Sequence, residues 1–249
     1  MSIKNDSSDL ELLNQRFEDS SLQDILIWAW ETFGASMAAT SSFQTQSLPL
    51  LHIIARTTPK LPVFFLDTGF HFPETLALRD RLMREWGLTV QSLRAEQGQE
   101  SFRQQYGQLY RTDPDRCCYI NKVAPLARAK EGLAAWITGI RRDQTEARRH
   151  TPIVSRAKNG QVKICPMASW TEQDVWRYIN QHDLPVHPLL SQGYMSIGCA
   201  PCTRPVQAGE ESRSGRWADR AKTECGLHVE LPVEDERQDE TLEGKPLDG

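Results

Sequence analysis

The chain has 249 residues, 39% of them hydrophobic and 25% charged, enough to bury a full core as one domain or as one domain with a tail. No run approaches the ~18–20 apolar residues of a membrane span, and the start, Met-Ser-Ile-Lys-Asn-Asp-Ser-Ser-Asp-Leu, lacks the apolar stretch of a signal peptide, so a cytoplasmic protein with no membrane partner is expected. The net charge of −4 is uneven: residues 230–249 hold eight acids against two bases, which leaves a body of +2, suited to a small anion and too weakly basic for nucleic acid.

In chain order, residues 1–19 form a polar extension. Ser20-Ser21 then caps a helix with Leu22, Ile25, Leu26, Ala29 and Phe33 on one side, ended by Gly34. A short strand, Ser36-Met37-Ala38-Ala39-Thr40, runs into the polar stretch Ser41-Ser42-Phe43-Gln44-Thr45-Gln46-Ser47. Residues 48–56 read as a helix with Pro49 in its first turn. The apolar run Val63-Phe64-Phe65-Leu66 reads as a strand buried on both faces, and Asp67-Thr68-Gly69 follows it.

A helix over 73–86 is closed by Gly87, and residues 88–93 form a third strand. Residues 100–115 read as polar and irregular. Cys117-Cys118 stands at the entrance to a helix that reaches Lys130. Residues 135–140 form a fourth strand with Arg141-Arg142-Asp143-Gln144 directly behind it. Residues 153–155 and 162–165 suit a small hairpin, and Thr171 caps a helix bearing Val175, Trp176, Tyr178 and Ile179. Beyond Pro185 the chain is rich in loops.

Strands alternating with helices predict an α/β fold, a parallel sheet covered on both faces. Ligands of such sheets sit outside the carboxyl ends of the strands. Residues 40–47, 67–69 and 139–148 all follow strands, so they are expected to converge on one crevice. Each also has a plainer reading. The hydroxyls of 40–47 stand at a helix start, where N–H groups attract anions, or they simply cap the helix. Arg141, Arg142 and Arg148 suit bidentate pairing with phosphate or sulfate, or a solvated face. Asp67 can bind a ribose or a base, or cap its own turn. His52 and His71 read as structural.

Of the six cysteines, Cys117-Cys118 and Cys199-Ala200-Pro201-Cys202 together offer four thiolates, the count for a four-iron, four-sulfur (4Fe-4S) cluster. Structural zinc and a thioredoxin-like dithiol at Cys199 and Cys202 are the competitors; adjacent cysteines are awkward around one tetrahedral ion, and the dithiol belongs near an early strand–helix junction. Cys165, between Ile164 and Pro166, reads as an inert buried thiol. Cys225 stands alone, with Arg213, Arg216 and Lys222 before it and His228 after it. A lone thiol in a basic setting is what nucleophilic chemistry on an anion needs.

These features resemble the assimilatory adenylyl-sulfate and phosphoadenylyl-sulfate reductases over residues 20–229. The motifs are Thr40-Ser41-Ser42-Phe43-Gln44, Leu66-Asp67-Thr68-Gly69, Phe72-Pro73-Glu74-Thr75, Gly139-Ile140-Arg141-Arg142-Asp143-Gln144, Gly215-Arg216-Trp217 and Glu224-Cys225-Gly226-Leu227-His228. The resemblance implies an adenine nucleotide alpha-hydrolase-like (Rossmann-like) body over 20–205. The place of Cys225 behind a glycine-containing stretch predicts a mobile catalytic segment over 206–229, and the acidic stretch 230–249, without apolar periodicity, reads as a disordered tail. The resemblance also implies a 4Fe-4S cluster on Cys117, Cys118, Cys199 and Cys202, as in the branch that carries one; members without those cysteines use the 3′-phosphorylated substrate.

In the chemistry so implied, Cys225 attacks the sulfur of adenylyl sulfate, AMP leaves, and thioredoxin or a glutaredoxin-like donor releases sulfite from the S-sulfocysteine. Lys122, Arg213 and Arg216 would face the phosphosulfate and Arg142 the phosphate. Ser41, Ser42 and Asp67 would lie near the nucleotide, and His228 near the nucleophile. The first loop looks more like that of the phosphoadenylyl-sulfate enzymes, so 3′-phosphoadenylyl sulfate stands as the alternative substrate. A tRNA sulfurtransferase would carry a Ser-Gly-Gly-x-Asp-Ser type loop, which is missing, and a zinc-stabilised binding module would not need Cys225. A homo-oligomer stays open as a state of assembly.

Overall fold

The structure, a computed structural model, describes residues 7–218, 220 and 222–227. His228 and the tail over 230–249 lie outside the described residues. The chain opens with α1 (Ser7–Glu18) and α2 (Leu22–Phe33), followed by β1 (Met37–Thr40), α3 (Leu48–Thr57), β2 (Val63–Leu66), α4 (Pro73–Trp86) and β3 (Val90–Leu93). Then come α5 (Gly98–Tyr106), α6 (Leu109–Thr112), α7 (Pro114–Cys118), α8 (Ala124–Ala129), β4 (Ala135–Thr138), β5 (Val154–Arg156), β6 (Val162–Ile164) and α9 (Glu172–Gln181).

The strands form one sheet in the order β3-β2-β1-β4-β6-β5. Every pairing is parallel except β5 with β6. The predicted hairpin therefore exists, but it is no satellite: β6 pairs with β4 and extends the sheet. The sheet is thus mixed, with an antiparallel strand at its edge.

Alternation along the strands explains the two-sided burial. Met37, Ala39, Val63, Phe65, Ala135 and Ile137 join the main core with α2, α3, α4 and α9. Ala38, Phe64 and Trp136, one residue out of phase, join a second cluster with Leu93 and Leu126. With both faces covered, these strands carry apolar residues throughout. Predicted caps are in place: the Ser21 side chain accepts from the Asp24 N–H, and Thr171 with Asp174 forms a capping box.

Two stretches depart from the sequence-based expectation. Residues 100–115, read as irregular, contain α5 and α6, because Phe102 and Leu109 bury against Cys117 in a third cluster with Phe70 and Tyr106. That face closes on Phe70, from the turn after β2, and on the cysteine region. The polar start contains α1, whose Phe17 is buried in the main core and whose Asn14 side chain exchanges hydrogen bonds with the Val154 backbone.

Candidate active site

β1 pairs with β2 on one side and β4 on the other, so the chain turns in opposite directions on leaving the two central strands. That is the switch point where such sheets open a crevice. A cavity of about 160 Å³ lies there, lined by Thr40, Ser41 and Ser42 beyond β1 and by Thr138, Gly139 and Ile140 at the end of β4. A larger cavity of about 580 Å³ adjoins it and shares Gln44, Gln144 and Arg213. Two of the three predicted stretches, 40–47 and 139–148, therefore do converge.

The loop after β1 is held from both sides. The Ser41 N–H donates to the Phe64 carbonyl at 3.1 Å, and the Ser41 hydroxyl accepts from the Phe43 N–H at 3.1 Å. Phe43 adopts a left-handed backbone (φ 53) while its ring is fully buried, so core packing imposes the turn. The Gln44 side-chain oxygen Oε1 accepts from the Ile197 N–H, and Thr45 Oγ1 from that of His187. These bonds bring the late, loop-rich part of the chain over the crevice.

Asp67 takes the plainer of its two readings. Its carboxylate accepts two hydrogen bonds from Arg94, at 2.9 and 2.7 Å, and one from the Gly69 N–H. Burial pushes its pKa up, but the Arg94 and Gly69 bonds outweigh this and hold it below the usual range. It is a clasp at the strand end and does not line the cavity. Its neighbour Thr68, passed over in the sequence, is buried with Oγ1 3.3 Å from Cys199 Sγ.

The four cysteines of the proposed ligand set come together around a small cavity of about 10 Å³, lined by Cys117, Cys118, Cys199 and Cys202. Among the described residues no three His, Cys, Asp or Glu side chains close on a single point as a mononuclear metal site does. Four irons spread their thiolates more widely than one ion. The donors themselves fit a cluster: all four are thiols, all are free, and their pKa values record mutual proximity. Burial first, and then the three other thiols, push Cys117 up to about 12, and burial with Cys199 pushes Cys202 up to about 11.

Cys117 and Cys118 end α7, and a π-turn over Tyr119–Val123 joins α7 to α8. Such turns recur at functional sites because the extra residue re-aims the side chains. Here it carries Asn121, whose amide donates to the Cys117 carbonyl at 3.0 Å, and Lys122. The ammonium of Lys122 is buried, which disfavours its charge, yet the neighbouring Cys199, Cys118 and Cys225 raise its pKa. No carboxylate pairs with it among the described residues. Lys122 thus stands between the four-thiol site and Cys225, and it lines both cavities.

The segment that carries Cys225 is tied down by a chain of specific contacts. Thr203 and Arg216 form an antiparallel bridge, and the Arg204 N–H donates to the Gly215 carbonyl at 2.9 Å. A Cβ on Gly215 would overlap the Arg204 carbonyl oxygen, so only glycine allows this approach. Lys222 pairs with Asp115 of α7. Glu224 receives Arg148 in a two-pronged pair, Nε to Oε1 at 2.8 Å and Nη2 to Oε2 at 2.6 Å, with the Thr145 hydroxyl donating to Oε1 at 3.0 Å. Gly226 has φ 81, and Leu227 then packs against the second cluster on the sheet.

The result places Cys225 in the wall of the 160 Å³ cavity with Lys122, Arg148, Arg213 and Arg216. Glu224 is the one carboxylate among the residues that line it. The crowding registers at Arg213: burial and the positive Arg148 and Arg216 bring its pKa down to about 10. A pocket with this excess of cations binds anions. Arg142 lines only the larger cavity, and its guanidinium grips Glu18 at 2.9 and 2.6 Å and the Thr151 carbonyl. In its place the inner cavity receives Arg148. Sequence reasoning did not single out Glu224, Thr68 or Trp217 as site residues, and between the two arginines it gave the phosphate to Arg142, whereas Arg148 is the one that lines the inner cavity.

A switch-point crevice, an anion pocket and one half-buried thiol in its wall define a nucleotide-binding α/β protein equipped for thiol chemistry on an anion. The profile of the phosphoadenosine phosphosulfate reductase domain matches residues 36–205. An adenosine 5′-phosphosulfate reductase of Streptomyces coelicolor is 45% identical over 220 residues, covering 88% of this chain and 92% of that one. A phosphoadenosine 5′-phosphosulfate reductase of Gloeobacter violaceus is 43% identical, covering 90% and 95%. The crystal structure of phosphoadenylyl-sulfate reductase from Candida auris, in complex with phosphate, superposes with a TM-score of 0.71 at 28% identity, over 81% of this chain and 98% of that one.

The chain belongs to the phosphoadenosine phosphosulfate reductase family, and it is an oxidoreductase of sulfate assimilation. Its sheet is that of the adenine nucleotide alpha-hydrolase-like folds. Among the described residues no helix is long and apolar enough to cross a membrane.

Proposed function

We propose that the protein reduces adenylyl sulfate to sulfite and AMP, with Cys225 as nucleophile and a thioredoxin or glutaredoxin-like dithiol as electron donor. One observation carries this reading: Cys225 shares a cavity with Lys122, Arg213 and Arg216, and that cavity borders the four-thiol site. The nucleoside would lie against the apolar lining, which includes Leu50, Leu66 and Ile140, and the phosphosulfate against the cations Lys122, Arg213 and Arg216. The Cys225 thiolate attacks the sulfonyl sulfur, an Sγ–S bond forms, and the S–O bond to phosphate breaks. AMP leaves with the bridging oxygen and the bond's electron pair. A donor thiolate then attacks Sγ and expels sulfite with the Sγ–S pair. The donor's second thiol resolves the mixed disulfide, so both electrons come from the dithiol.

Cys117, Cys118, Cys199 and Cys202 would hold a 4Fe-4S cluster, with Thr68 and Asn121 beside its thiolates. When bound, it supplies a fixed charge distribution at the wall of the anion pocket. Lys122 orients the sulfonyl end and balances charge between the cluster ligands and Cys225. Movement of the backbone that carries Cys225 away from the crevice would present the S-sulfocysteine to the donor. Six free cysteines suit the reducing cytoplasm.

The second reading is the same chemistry on 3′-phosphoadenylyl sulfate. It is favoured by the larger cavity, which Arg141, Arg142 and Arg149 line, and by the relatives named for that substrate. The four-cysteine set favours adenylyl sulfate. Incubating the reduced holoenzyme with each nucleotide, and no dithiol, tests both readings. One sulfonate per chain on the Cys225 peptide, one AMP released, and neither with Cys225→Ser is the expected result for adenylyl sulfate. Sulfite formation at the normal rate by Cys225→Ser would end the proposal.

A further inference from the structure

Two donors in the wall of the anion pocket have no acceptor. Arg216 Nε and Trp217 Nε1 are buried without a hydrogen-bond partner, and among the described residues no other side-chain nitrogen or oxygen is left in that state. Both belong to residues that line the cavity containing Lys122 and Cys225. Buried N–H groups are almost always paired, so an orphan pair on adjacent residues calls for an explanation. Trp217 is only 3% exposed, which leaves bulk water little access to its indole.

The backbone shows that this placement is imposed. Trp217 has φ 48, a left-handed conformation that a bulky aromatic residue adopts only when its surroundings force it. The forcing contacts are the bridge between Thr203 and Arg216, the close approach at Gly215, and the Trp217 N–H, which donates to the Cys202 carbonyl at 3.0 Å. The ring face is already occupied: the Arg216 guanidinium lies 4.5 Å and Lys222 Nζ 5.4 Å from the Trp217 ring. The N–H is the part of the ring whose bonding capacity is unused.

An acceptor that enters this pocket is an anionic oxygen, because Lys122, Arg213 and Arg216 set the field. Trp217 lines the same cavity as Cys225; its backbone N–H is bonded to the Cys202 carbonyl and its ring lies against Lys222, which is itself three residues before the nucleophile. The sulfur attacked by Cys225 must lie against Cys225, so the oxygens on that sulfur are the ones presented to this wall. We propose that the Trp217 indole N–H donates a hydrogen bond to an oxygen of the transferred sulfonyl group, with Arg216 Nε beside it. Trp217 is then a further substrate-contacting residue of the site. The inference rests on the sulfonyl-transfer reading given above. A neutral donor of fixed direction suits this place: it meets the oxygens before and during transfer without drawing a proton from the thiol.

The test uses the holoenzyme with Cys225→Ser, which binds substrate without turnover, and measures affinity for adenylyl sulfate and for AMP, which lacks the sulfonyl group. Adding Trp217→Phe keeps a ring between the two cations and removes the N–H. Affinity for adenylyl sulfate should fall about tenfold to a hundredfold, the range for a hydrogen bond to a charged group, while affinity for AMP stays within about twofold. Equal losses for both nucleotides would make Trp217 structural, and no loss for either would remove the contact; each result overturns the proposal. A benzothiophene in place of the Trp217 indole keeps the two-ring shape, so it serves where the phenylalanine variant folds poorly, with the same outcomes decisive. If Cys225→Ser with Trp217 intact binds adenylyl sulfate no better than AMP, the sulfonyl-transfer reading itself fails and takes this inference with it.

Discussion

At the scale of single residues, the order Glu224-Cys225-Gly226-Leu227 is a docking device around one sulfur. Glu224 anchors upstream, Gly226 turns the chain, and Leu227 anchors downstream on the sheet. Burial pushes the pKa of Glu224 up, but the hydrogen bonds and charge of Arg148 outweigh this and hold it below the usual range, so the pair stays ionised at neutral pH. A buried pair of this kind costs most when one partner is removed, since the other charge is then stranded. Glu224→Gln should therefore slow formation of S-sulfocysteine at Cys225 by roughly thirtyfold, about 2 kcal/mol. Single-turnover labelling of the Cys225 peptide would read this. Adding Arg148→Gln should give much less than the product of the two single losses, because both changes break the same pair. Full additivity would show that Glu224 acts elsewhere.

At the scale of elements, the loop-rich stretch after α9 owes its order to buried side chains, and His187 is the clearest case. It is fully buried, its Nδ1 accepts from the Leu189 N–H, and its Nε2 therefore carries the proton that it donates to Thr75 Oγ1, 2.9 Å away on α4. Burial lowers its pKa to about 4. The unfolded chain takes up this proton near the ordinary value of about 6.5, so stability is complete above that pH and is lost as the pH falls towards 4. The loss from this residue between pH 7 and pH 5 is about 2 kcal/mol. His187→Asn keeps a capping oxygen and should abolish that component, as urea titrations of both proteins at the two pH values would reveal; equal pH dependence would rule it out. Elements were legible where their pattern was local. β1, β2 and β4 were read from apolar runs, and α2 and α9 from their caps. α5 and α6 were not, because the face of Phe102, Tyr106 and Leu109 closes on Phe70 and Cys117, which lie outside both helices.

At the scale of the whole molecule, the crevice has a floor made by the sheet and a roof made by Arg213, Arg216, Trp217 and residues 224–227, joined to the rest at contacts far apart in sequence. Glu224 meets Arg148 across 76 residues and Lys222 meets Asp115 across 107. No short window along the sequence contains both partners, which is why the cysteines, with their recognisable spacing, were legible as a site while the pairing of Arg148 with Glu224 was not. The same architecture ranks the thiols by reactivity. Cys117, Cys118 and Cys165 are buried; burial drives Cys117 up to about 12 and Cys165 up to about 11, and it raises Cys118 as well. Cys202 is half-buried but pushed up to about 11 by burial and Cys199. Alkylating agents need an accessible thiolate, and Cys225 is the half-buried thiol in the wall of the open crevice. Limited iodoacetamide at pH 8 should therefore modify Cys225 first, as peptide mass mapping would record. AMP, by filling the crevice beneath the roof, should slow that reaction at least about fivefold at saturation, since reagent then reaches the sulfur only when nucleotide has left. Unchanged alkylation with AMP bound would mean that the roof and the nucleotide do not share one cavity.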